Sequence, residues 1–169
     1  MNFGVFFVFA ALSACCPTNY ETKTEPVAHM KVFFTPSTDC EQNIIAEVNK
    51  AQQMDIAVYS ISNIKIVDSL INAFHRGAQI RIITDRTQAK GKGSLVEKLK
   101  SAGIPVVTNK KTKIEHNKYA IFDNKHVVSG SYNWTENASK FNSENCVFFD
   151  QLSEEYSRRF EYLWNLYQK

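Results

Sequence analysis

The sequence predicts an α/β domain, a mixed and mostly parallel β-sheet flanked by helices on both faces. Two observations carry that prediction. Between residues 30 and 107 short apolar strands alternate with stretches of helical periodicity, the pattern of parallel strands joined by right-handed crossover helices. Beyond them come three close-set apolar runs and one long amphipathic stretch, which read as a strand group packed from one face by a terminal helix. The chain has 169 residues, 44% hydrophobic, 12% aromatic and 22% charged. That composition excludes disordered, collagenous and solenoid classes and suits one core.

The elements follow in order. Residues 1–15 read as a signal peptide: the run from Phe3 to Leu12 is almost wholly apolar but shorter than the roughly 20 residues a membrane-spanning helix needs. Leu12-Ser13-Ala14-Cys15 resembles the bacterial lipoprotein signal, which implies lipidation of Cys15 and a membrane anchor, although no Lys or Arg precedes the apolar run. If the leader is simply cleaved, the product is periplasmic or secreted. Residues 16–28 are polar, with two prolines, and read as a tether to a single domain at 29–169.

That domain opens with a strand at 30–34. Ser37-Thr38-Asp39 then start a helix whose Ile44, Ile45, Val48 and Ala51 recur at helical spacing. Residues 55–61 form a buried strand, and Val67, Leu70, Ile71 and Phe74 stripe a second helix stopped by Gly77. A strand at 79–84 leads into a flexible loop at 85–93, a third helix on Leu95, Val96 and Leu99, and the run Ile104 to Val107. Strands at about 117–123, 125–129 and 146–150 follow, then a helix with Leu152, Tyr156, Phe160, Leu163 and Tyr167 on one stripe.

Charge is uneven. Residues 81–126 carry 11 Lys/Arg against 4 Asp/Glu, a +7 block inside a chain of net +3. Such a block favours a polyanionic partner, nucleic acid or an anionic membrane surface. Arg86, Lys90, Lys92, Lys110, Lys111 and Lys113 are its candidates for tracking a phosphate backbone.

The chemistry concentrates in thirty residues. His116, Lys118 and Asp123 form a His-x-Lys-x4-Asp pattern entering an apolar strand. On a regular strand His116 and Lys118 share a face while Asp123 points away and serves structure. An imidazole beside an ammonium suits a phosphodiester: the cation takes a nonbridging oxygen, and the imidazole attacks phosphorus or moves a proton. Ser131 and Asn133, again two apart, offer a hydroxyl and a carboxamide to the same anion, and Glu144 offers a carboxylate to hold the far imidazole nitrogen. Tyr132 and Trp134 alternate with that pair and face the core.

This set, His116-x-Lys118-x4-Asp123 followed by Gly130-Ser131-x-Asn133 and Glu144, resembles the phospholipase D superfamily. It looks most like the short bacterial nuclease branch with one signature per chain, and the likeness covers about residues 30–168. The resemblance implies the phospholipase D/nuclease fold, with His116 as nucleophile through a phosphohistidine. Lys118 and Asn133 would bind phosphate with help from Ser131, Glu144 would orient His116, and no metal or other cofactor is implied. It also implies a homodimer, which brings two copies of His116 to one phosphate. The function expected is an endonuclease acting on DNA, with RNA as a second polymer. Head-group hydrolysis of phospholipids and a DNA-capture protein that cuts little or nothing are the alternatives.

Three histidines fall outside the signature. His126 reads as a surface or packing residue, and His29 and His75 as peripheral. Cys40 and Cys146 remain after the leader cysteines, and buried free thiols are the expectation for both, slightly ahead of a disulfide.

Overall fold

The computed structural model describes residues 30–169. The leader, the tether, Cys15 and His29 lie outside the described residues. From the start the elements are β1 (Met30–Phe34), α1 (Asp39–Lys50), β2 (Gln53–Val58), α2 (Ile64–His75), β3 (Gln79–Thr84), α3 (Arg86–Ala89), α4 (Val96–Ser101), β4 (Val106–Thr108), β5 (Lys118–Phe122), β6 (His126–Gly130), α5 (Glu136–Lys140), β7 (Asn145–Phe149) and α6 (Ser153–Gln168). Two short helices were not expected, and each has a cap. Asp85 accepts hydrogen bonds from the Thr87 and Gln88 amides, turning the start of the basic loop into α3, and Thr135 accepts from the Ala138 amide to open α5.

The strands form one sheet in the order β1-β7-β6-β5-β2-β3-β4. It is mixed and helix-flanked as the sequence predicts, but its parallel part is the smaller one. β2, β3 and β4 run parallel, while β1–β7, β7–β6, β6–β5 and β5–β2 are antiparallel. One of these pairings is set locally: Asp123 and Asn124 both take positive φ (52° and 54°), and so tight a reversal joins β5 to β6 antiparallel.

Alternation along the strands splits the core in two. Met54, Ile56, Ile80, Ile82, Ala120 and Phe122 pack under α1, α2 and α4. Ala57, Ile83, Tyr119, Ile121 and Val127 meet Phe160, Leu163, Trp164 and Tyr167 of α6 on the other face. Arg81 fastens α6 to the sheet, donating to both Asp55 carboxylate oxygens at 2.7 Å and to Glu161 at 2.5 Å. Its guanidinium lies 5.0 Å from the Phe160 ring centroid.

Cys40 and Cys146 correct the sequence reading. They are joined in a disulfide, with Cα atoms 6.0 Å apart across 106 residues of chain. The pairing follows from topology: β1 lies antiparallel to β7 with Phe33 opposite Cys146, and α1 begins just beyond β1, bringing Cys40 over β7. A bridge closing a loop of that length stabilises the fold by about 4–5 kcal/mol through restriction of the unfolded chain.

Candidate active site

The segment entering β5 is held from both sides. Asp85, buried beneath α3, accepts the Glu115 amide at 3.1 Å through its second carboxylate oxygen. Glu115 is itself buried; one oxygen accepts from the Asn117 side-chain amide at 2.5 Å and the other from the Tyr167 hydroxyl at 3.0 Å. The Asn117 carbonyl accepts from the Tyr59 amide at 2.8 Å. His116 sits between these two fixed residues, with its imidazole exposed. None of Asp85, Glu115 and Asn117 was singled out in the sequence. Their signal was the concentration of polar residues just before an apolar strand, which reads equally well as a plain loop.

The opposite wall is the turn after β6. The Asn145 carbonyl accepts from the amides of Ser131 and Tyr132 at 3.1 and 3.2 Å, and the Asn145 amide donates to Ser131 Oγ at 3.1 Å. A Cβ at Gly130 would collide with the Asn145 carbonyl and side-chain oxygens, and φ there is +153°. Only glycine permits so close an approach. Tyr132 and Trp134 are buried in the core. Asn133 lies between them, and its Oδ1 has no hydrogen-bond partner among the described residues.

Between the walls lies a cavity of about 410 Å³ lined by His116, Lys118, Gly130, Ser131, Asn133 and Glu144. Five predicted residues thus meet in one place. The Lys118 ammonium donates to the His116 carbonyl at 2.7 Å and stands 4.9 Å from the Tyr59 ring centroid. Burial pulls its pKa below the usual lysine value of 10.5, while the negative charges of Glu144 and Glu115 act in the opposite direction. The Glu144 backbone is clamped to Thr35, accepting from its amide at 3.0 Å and donating to its hydroxyl at 2.9 Å. Its carboxylate accepts from the Asn142 amide at 2.9 Å. Among the described residues it makes no hydrogen bond to His116.

The other predicted residues lie elsewhere. Asp123 is at the far end of β5, where its carboxylate accepts from the Gln52 and Gln53 amides at 2.8 and 2.9 Å and ties the hairpin to β2. Arg86, Lys90, Lys92, Lys110, Lys111 and Lys113 are exposed and do not line the cavity. His126 pairs with Asp150 at 2.6 Å, well away from it. A second cavity, of about 370 Å³, adjoins the first; it shares His116, Lys118 and Gly130 and adds Tyr119, Ser129, Tyr156 and Arg159. Arg159, on a helix read as packing only, was missed by sequence reasoning.

An α/β sheet that presents an imidazole, an ammonium, a hydroxyl and a carboxamide to one open cavity defines a protein built to handle a phosphodiester. Comparison with known proteins agrees: the family model described as "Cardiolipin synthase, PLD-like domain" matches residues 44–164. The chain belongs to the phospholipase D superfamily of phosphodiester hydrolases, in its Nuc-like branch. A phospholipase D of Rickettsia conorii is 36% identical over 149 residues, 86% of this chain and 74% of that protein. A mitochondrial cardiolipin hydrolase of Chlamydomonas reinhardtii is 34% identical over 68% of this chain and 52% of that protein. The crystal structure of Nuc, a phospholipase D family member from Salmonella typhimurium, superposes with a TM-score of 0.77 at 27% identity, covering 82% of this chain and 95% of that one. The chain spans 63% to 74% of the length of the first three curated relatives.

Proposed function

We propose that this chain is a metal-independent endonuclease, hydrolysing DNA through a phosphohistidine on His116 at a site shared by two copies. The observation that carries the reading is the convergence of His116, Lys118, Ser131, Asn133 and Glu144 on one cavity, which supports a role for the Lys118 ammonium in neutralising a bound phosphate. In the first step a His116 nitrogen attacks phosphorus and forms the P–N bond as the P–O bond to the leaving oxygen breaks. The partner's His116 protonates that oxygen. In the second, water attacks phosphorus, gives its proton to that same partner imidazole, and the P–N bond breaks. Lys118 and Asn133 hold the nonbridging oxygens and Ser131 assists, while the Glu144 carboxylate orients His116.

Two observations support pairing of copies. One chain brings one His116 to the cavity, whereas the two steps need two groups. Beside the cavity lies an exposed apolar surface with Met30, Val32, Phe34 and Leu152 at 63%, 50%, 65% and 58% exposure, and unpartnered patches of this kind mark association surfaces. Nucleic acid as the substrate is supported by the exposed basic residues Arg86, Lys90, Lys92, Lys110, Lys111 and Lys113 and by the likeness to Nuc over almost its whole length. The disulfide supports an exported location, because such bonds persist in oxidising compartments. Lipidation of Cys15 belongs to the same proposal.

Head-group hydrolysis of phospholipids is the second reading. It is favoured by an apolar trench lined by Met30, Val147, Phe149, Leu152 and Tyr156, which shares Ser129, Gly130 and Tyr156 with the adjoining cavity. Incubation of the purified protein with plasmid, single-stranded DNA and phosphatidylcholine vesicles in excess EDTA separates the readings. Cutting of the nucleic acid with no choline release is the expected result. Choline release alone assigns the lipase, and retarded DNA without cleavage assigns a capture protein.

A further inference from the structure

Tyr59 follows the last residue of β2, inside the run 55–61 that the sequence reads as one buried strand. Its ring is instead half-buried at the edge of the cavity, and it touches both groups on which the proposed reaction depends. The His116 imidazole centroid is 4.6 Å from the Tyr59 centroid with the planes tilted by 60°, and the Lys118 ammonium is 4.9 Å from the same centroid. Tyr59 is fixed at three points, one on the phenol and two on its backbone. Its hydroxyl accepts from the Gln88 side-chain amide of α3 at 3.1 Å, its carbonyl accepts from the Thr84 hydroxyl at 3.2 Å, and its amide donates to the Asn117 carbonyl between His116 and Lys118.

We propose that Tyr59 is the positioning residue of this site, one aromatic ring fixing the imidazole of His116 and the ammonium of Lys118 relative to each other. The inference rests on the reading of His116 as nucleophile and Lys118 as phosphate ligand. The physical reason is that neither side chain hydrogen-bonds to another side chain among the described residues, the Lys118 ammonium donating only to the His116 carbonyl. The imidazole is exposed and makes no side-chain hydrogen bond among the described residues, and a lysine stem has four rotatable carbons. A tilted ring–imidazole contact and a cation–π contact each restrain one partner, and a single rigid ring sets both at once. α3 completes the arrangement. Asp85, its cap, holds Glu115 just before His116, and Gln88, within it, holds the phenol, so one short helix fixes the platform and the segment resting on it.

The contribution is then to orientation and not to binding, and it resides in the ring and not in the hydroxyl. The test uses the purified protein with bis(p-nitrophenyl) phosphate, a diester belonging to neither nucleic acid nor lipid, and compares wild type, Tyr59→Phe, Tyr59→Leu and His116→Ala. Tyr59→Phe keeps kcat within about threefold, whereas Tyr59→Leu lowers kcat by about thirtyfold or more with KM changed less than about threefold. Wild-type NMR shows nuclear Overhauser contacts between the Tyr59 ring and His116 imidazole protons, a readout that holds even if Tyr59→Leu does not fold. Absent contacts, a Tyr59→Leu protein as active as wild type beside an inactive His116→Ala, or a Tyr59→Phe protein as impaired as Tyr59→Leu overturns the proposal. A fully active His116→Ala overturns the underlying site reading, and the role of Tyr59 with it.

Discussion

Replacing His116 by alanine lowers kcat on a phosphodiester by at least about a thousandfold, because it removes the proposed nucleophile. The fold survives. The imidazole is exposed and makes no side-chain hydrogen bond among the described residues, so its loss leaves no cavity and no orphaned polar atom. Circular dichroism and the thermal midpoint should match wild type. The same variant tests the sharing of the site. Wild type and His116→Ala subunits, mixed so that heterodimers form, lose most activity per wild-type subunit, since each phosphate needs one imidazole to attack and another to protonate. Heterodimers with half the wild-type turnover would mean that each copy works alone.

Lys118→Met lowers kcat/KM by about a hundredfold to a thousandfold, the usual size for a charge directed at a developing oxyanion. Its titration gives a second, finer prediction. Burial holds the Lys118 pKa below 10.5, partly opposed by Glu144 and then Glu115. The charged ammonium is the active form; it is present below that pKa and is lost as pH rises through it. The alkaline limb of kcat/KM therefore falls at a lower pH than an ordinary lysine would give. Glu144→Gln removes the larger of the two supporting charges and moves the limb lower still. Profiles of kcat/KM against pH for wild type and Glu144→Gln decide the matter, and a limb that stays in place or moves up would exclude Lys118 as the group titrating there.

How much of this was legible in the sequence depended on the range of the interactions involved. Strands and amphipathic helices are written in local periodicity, and the α2 and α6 stripes are examples. The signature residues are legible because His116 with Lys118, and Ser131 with Asn133, are neighbours in sequence before they are neighbours in space. Pairings over long distances were not. The disulfide depends on β1 lying beside β7, and much of the antiparallel share of the sheet depends on strands far apart in the chain, β1 with β7 and β2 with β5. Tyr59 was hidden by a strand that stops at Val58 although apolar residues continue beyond it. Glu144 reaches the cavity, but its carboxylate bonds to Asn142 and not to His116, a partner that spacing does not reveal.

The claim on which the account turns is attack by one imidazole on phosphorus, and the most direct measurement is a rapid-quench trap. The purified protein is mixed with a phosphodiester radiolabelled at the scissile phosphorus, in excess EDTA, and denatured within one turnover. The account predicts one label per site on His116, stable in base, lost in acid and absent from His116→Ala. Turnover that leaves no label on the protein, label on another residue, or turnover abolished by the chelator would contradict it.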